Sequence, residues 1–123
     1  MSYNFKVKGD KKNISLIGKN IIVTNHFTSR WKERILNNDV NEKKALIDVE
    51  KKLAYATYLK NLTDDYYIFF DYLVIAEECE NKVYLITVLG ETKNCKRLIS
   101  YLITNGGEKL SHDIKKYGKI PII

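Results

Sequence analysis

Proline occurs once in this chain, at Pro121, tryptophan once, cysteine twice and arginine three times, and no apolar run approaches a membrane span in length. Each scarcity closes off a class of protein. Cys79 and Cys95 form no CxxC pair, and two thiols in an intracellular chain read as reduced core residues, not as a disulfide framework. Together with His26 and His112 they offer none of the close ligand pairs that mark a zinc shell, so no metal is expected. The longest apolar stretch, residues 66–76, is broken by Asp71 and falls well short of the roughly 20 residues that cross a bilayer. Residues 2–12 alternate polar and apolar side chains without the apolar segment of a secretory signal. Gly106-Gly107 lacks the lysine and hydroxyl of a phosphate loop and closes a helical pattern, so no nucleotide cofactor is implied. Without repeats or low-complexity linkers, 123 residues predict a single cytoplasmic domain spanning 1–123, with no membrane partner.

Basic charge, by contrast, is abundant and unevenly placed. Eighteen of the 21 basic residues are lysine, and the net charge is +6. Residues 1–60 hold thirteen bases against six acids, residues 61–90 hold only Lys82 against six acids, and residues 91–123 hold seven bases against three acids. A basic field of this kind concentrates polyanions, although an ordinary solubilising surface has the same balance.

The apolar pattern sets out the elements. Tyr3, Phe5 and Val7 alternate with polar residues as a half-buried strand does, and Gly18-Lys19-Asn20 interrupts the run from 14 to 23 like a hairpin turn between short strands. Thr24 or Asn25 can cap a helix on which Phe27, Trp31 and Ile35 recur every four residues. Asp39 and Glu42 have capping-box spacing for a second helix, whose period runs through Leu46, Val49, Leu53 and Ala56 to Leu59 or Lys60 and closes at Thr63-Asp64-Asp65. A three-stranded meander is expected across residues 66–70, 72–77 and 82–89. Cys95, Leu98, Ile99, Leu102 and Ile103 define a third helix stopped at Asn105-Gly106-Gly107, and a short helix over 108–117 precedes an apolar tail at 120–123. The fold class predicted is α+β: a helix pair packed on one face of an antiparallel β-sheet, with C-terminal helices.

The candidate site begins from the scarce arginines. Arg30 and Arg34 stand one helical turn apart behind His26, on a stripe that drifts by about 40° per step beside the Phe27/Trp31/Ile35 stripe. A planar, permanently charged fork suits phosphate, and an imidazole beside it can exchange a proton with a ribose hydroxyl or a leaving oxygen. The same arginines can instead tie the helix to carboxylates of the acidic middle, such as Asp71 or Glu77. Glu33 reads as a solvated charge, and the tyrosines of the apolar middle, Tyr66, Tyr67 and Tyr72, read as core.

The passage Ile22-Val23-Thr24-Asn25-His26, followed by Arg30 and Arg34, resembles the opening of small domains related to BrnT-like and RelE-like bacterial ribonuclease toxins. The similarity extends over about residues 20–90 in order of elements. It implies a strand, an arginine-bearing helix, a second helix and an antiparallel meander, and a metal-independent endoribonuclease with His26, Arg30 and Arg34 as catalytic residues. RNA and a cognate antitoxin are the partners it implies. Because the meander here is acidic, RNA is expected on Lys43, Lys44, Lys51 and Lys52 or near Lys115 rather than on the sheet. The alternative of a different class is a non-catalytic phage or mobile-element interaction protein, binding a protein or nucleic acid through its basic helices or its apolar tail.

Overall fold

Between Tyr58 and Glu91 the chain reverses three times through two-residue turns, and the first residue of each turn takes a positive φ: Asp64 at 50°, Phe70 at 57° and Glu80 at 58°. Turns of that length match the right-handed twist of their flanking strands when a residue enters the left-handed region. The computed structural model describes residues 13–117. In chain order its elements are β1 (Ile14–Ser15), β2 (Asn20–Val23), α1 (Asn25–Arg34), α2 (Glu42–Leu53), β3 (Tyr58–Thr63), β4 (Tyr66–Phe69), β5 (Tyr72–Cys79), β6 (Lys82–Glu91), a 3-10 turn at Thr92–Asn94, α3 (Lys96–Asn105) and α4 (Glu108–Tyr117). The strand expected at residues 3–7 and the apolar tail lie outside the described residues.

The six strands form one mixed sheet in the order β1-β3-β4-β5-β6-β2. All neighbours are antiparallel except β2, which runs parallel to β6 with Ile22 opposite Tyr84. The hairpin expected at Gly18 is therefore replaced by a link between opposite edges of the sheet. Gly18 does turn the chain, at φ 74°, but Ser15 and Asn20 belong to the two outermost strands. Five residue steps reach about 17 Å at full extension, whereas six flat strands would hold their edges about 24 Å apart. The sheet must curl to bring its edges within reach of that link.

Helices cover both faces of the sheet, the α1/α2 pair one face and the C-terminal helices the other. On the first face Phe27, Trp31, Ala45 and Val49 of α1 and α2 pack with Tyr67, Phe69, Val74, Ala76, Val83 and Leu85. On the other, Leu98, Leu102, Leu110 and Ile114 of α3 and α4 pack with Tyr66, Leu73 and Ile75. This double cover explains why Leu73, Val74, Ile75 and Ala76 are buried in succession, as in strands that have no solvent face. The second helix ends at Leu53, and the segment assigned to its last turns is β3. There Leu59 enters the α1/α2 core, while Leu62 packs on the opposite cluster. The expected three-strand meander thus has four strands.

Local signals at the helix ends held in part. Thr24 caps α1, accepting the Phe27 N–H at 3.0 Å. The α2 cap is Asn41, which accepts the Lys44 N–H at 2.9 Å, instead of the expected Asp39. Gly106 ends α3 at φ 80°. Cys95 is buried as expected, but Cys79 is exposed at the end of β5. Among the described residues no helix is long and apolar enough to cross a membrane.

Candidate functional site

Thr24 fixes where α1 begins and where its polar stripe faces. While its oxygen caps the Phe27 N–H, its hydroxyl proton is directed at the β6 carbonyls of Leu85 and Ile86, at 2.9 and 3.1 Å. Trp31, one turn before the end of α1, is fully buried against Tyr72, with ring centroids 4.7 Å apart, and donates its indole N–H to Asp48 of α2 at 2.8 Å. Anchored at both ends, α1 lies along β6 and directs His26, Arg30 and Arg34 to the border of the core.

These three residues share one electrostatic environment. Burial pushes the His26 pKa below its ordinary value of 6.5, and the Arg30 and Arg34 charges lower it further, against a smaller opposing effect of Glu33. Both effects favour the neutral imidazole over the charged one. Its Nε2 is closed to solvent and has no hydrogen-bond partner among the described residues. Arg34 reaches across to β6 and donates from Nη1 to the Val88 carbonyl at 2.8 Å. Burial lowers its pKa, and so does the neighbouring Arg30 charge. Arg30 pairs with Glu33 at 3.4 Å, and Glu33 also stands 4.0 Å from Arg34 Nε. Glu33 is exposed, as expected of a solvated charge, and also stands within 4.0 Å of both guanidinium groups. The thiol of Cys95 borders the same place: burial pushes its pKa up, and the Arg34 charge opposes that. Two guanidinium groups beside a neutral imidazole can hold an oxyanion and accept a proton from a hydroxyl next to it.

The acidic middle named as an alternative destination for the arginines engages lysines. Lys115 of α4 donates to Asp65 at 3.0 Å and to Glu77, and Lys19 pairs with Glu78. Burial works against the Lys115 charge, but the hydrogen bonds to Glu77 and Asp65 outweigh it and hold its pKa above the ordinary range. Lys115 therefore fastens α4 to the sheet. Of the four α2 lysines, Lys43, Lys44 and Lys51 are exposed, whereas Lys52 is half-buried, pairs with Asp48 at 3.5 Å and lies 5.9 Å from the Trp31 ring centroid. Lys52 is in part a structural residue. Among the described residues no three His, Cys, Asp or Glu side chains gather as a metal-ligand set.

Sequence reasoning missed a cleft of about 290 Å³ lined by Tyr55, Ala56, Thr57, Tyr58, Lys60, Ile68, Phe69 and Phe70. Tyr66 and Tyr67 are buried as expected, and burial raises both phenol pKa values to about 12, but Tyr55 and Tyr58 are exposed. A helix running through residue 59 hid this cleft, because it placed none of these residues beside Ile68, Phe69 and Phe70, which complete the lining from β4 and the turn after it. No family model matches the chain, and neither does any curated protein or solved structure.

Proposed function

We propose that this protein is a small RelE/BrnT-like protein of a bacterium or mobile element that binds RNA and cleaves it without a metal. The observation that carries the reading is the placing of His26, Arg30 and Arg34 on one stripe of α1 at the border of the core, where burial and the two guanidinium charges lower the imidazole pKa. In this reading the guanidinium groups hold the scissile phosphate and His26 takes the proton of the attacking 2′-hydroxyl. The exposed Lys43, Lys44 and Lys51 supply the longer-range attraction for the strand. Full-length protein incubated with single-stranded RNA in EDTA is expected to cleave it. His26→Ala is expected to abolish cleavage, and Arg30→Ala to weaken RNA binding; intact RNA with the wild-type chain, folded by circular dichroism, rules out the enzymatic reading.

One observation favours a second reading. Because Nε2 of His26 is closed to solvent, that nitrogen does not meet a substrate without local movement. A non-catalytic phage or mobile-element protein, holding a partner through its basic helices, needs no such movement. It predicts RNA or protein capture without cleavage, weakened by charge reversal at Lys43 and Lys44.

A further inference from the structure

Aromatic side chains make up half of the residues that line the cleft on β3. Three large aromatic side chains stand at it exposed, Tyr55 at 83%, Tyr58 at 52% and Phe70 at 49%, and Lys60 is its sole charged lining residue. Tyr58 and Lys60 alternate with the core residue Leu59, so they share one face of β3, and Ile68 stands opposite Lys60 in the register. Phe70 is the unusual member. It occupies the first position of a two-residue turn at φ 57°, a conformation that glycine or asparagine adopts freely and that a bulky aromatic adopts only against steric resistance. Its ring packs on the buried Phe69 with centroids 5.0 Å apart, which holds it at the cleft. A strained residue that keeps an exposed ring beside two others is the kind of backbone cost found at ligand sites.

We propose that this cleft holds one unpaired nucleobase of a single-stranded RNA, stacked on the rings of Tyr58, Phe70 and Tyr55, with Lys60 meeting the adjoining phosphate. The inference rests on the RNA reading for its ligand, yet it concerns a different surface from the α1 stripe. Size and charge select this occupant. The cleft sits near the lower limit of ordinary ligand pockets, roughly 300–1,000 Å³, and so admits one ring system. Its lining joins aromatic faces to one cation and includes no acid, the combination by which single strands are bound through stacking and backbone charge. A protein interface of standard size would need far more area than these few side chains offer.

The test is a titration of the isotope-labelled full chain with adenosine 5′-monophosphate, inorganic phosphate and a uniform single-stranded RNA, followed by NMR. The nucleotide and the RNA are expected to shift Tyr55, Tyr58 and Phe70, while phosphate alone leaves the rings unshifted. Tyr58→Ala is expected to weaken nucleotide binding about tenfold, the usual scale for losing one stacked base, and Lys60→Ala to weaken it through the lost phosphate contact. Tyr58→Phe should restore it, and Lys109→Gln, exposed on α4 away from the cleft lining, should leave it unchanged. Phe70→Gly, which relieves the turn, is expected to fold normally and bind weakly. Shifts at the cleft with RNA left intact would sustain this proposal and sink the enzymatic reading. RNA cleavage without ring shifts, or with an unaltered KM in Tyr58→Ala, would do the reverse.

Discussion

His26 is the residue whose surroundings say most about what it can do. It stands next to a helix start instead of at a helix end where a positive imidazole is favoured, and it faces two guanidinium groups that oppose its protonation. A histidine whose pKa is lower in the folded than in the unfolded chain binds fewer protons when folded. Acidification through its ordinary value of 6.5 therefore favours unfolding, and stability falls with pH from that value down to the folded pKa before levelling off. The urea midpoint of the wild-type chain is expected to drop between about pH 7 and pH 5, above the range where carboxylates titrate. In His26→Gln the same window is expected to be flatter. Parallel curves in the two proteins would mean that the imidazole is solvated and that burial does not shape its chemistry.

At the scale of the element, what was legible in the sequence depended on how local the deciding contacts are. The helices α1 and α3 follow from apolar residues at helical spacing and from Thr24 and Gly106 at their ends, all within about one turn of the residues they act on. The His26/Arg30/Arg34 grouping was readable for the same reason. β3 was not, because Leu53, Ala56 and Leu59 continue a helical period, and only pairing with β1 and β4 assigns Tyr58–Thr63 to a strand. The cleft was hidden with it, since its walls come from a loop, two strands and a turn that no spacing rule connects. The same distinction separates the two helix caps. Asn41 satisfies only α2 at an exposed position, whereas the hydroxyl of Thr24 also ties α1 to β6. Asn41→Ala is expected to cost about 1 kcal/mol, and Thr24→Val about 2 kcal/mol, by urea denaturation. Equal losses would show that the link from Thr24 to the Leu85 and Ile86 carbonyls adds nothing beyond capping.

Over the whole molecule, charge is divided according to the work each part does. The acidic middle of the chain meets lysines from elsewhere: Asp65 and Glu77 hold Lys115 of α4, and Glu78 holds Lys19 on the link between the sheet edges. Part of its charge is thus spent in fastening the curled sheet to its neighbours. Lys43, Lys44 and Lys51 stand exposed on α2, a helix that packs against α1, so the basic field lies on the side of the fold that carries Arg30 and Arg34. If that field gathers RNA, each lysine in contact with a phosphate releases counterions, and the logarithm of the affinity falls with the logarithm of salt by about 0.7 per contact for a single strand. Neutralising Lys43, Lys44 and Lys51 together to glutamine is expected to reduce that slope by about 2, with weaker binding at low salt and convergence with wild type at high salt. Lys82→Gln, on the meander among the acids, is the matched control and is expected to leave the slope unchanged. The reverse pattern, a slope that depends on Lys82 and not on the α2 lysines, would move RNA onto the sheet and require the acidic strands to receive a polyanion. In that case Lys115 and Lys19 would have to leave Glu77 and Glu78 to meet the phosphates, and α4 would keep only its apolar packing through Leu110 and Ile114 on the sheet.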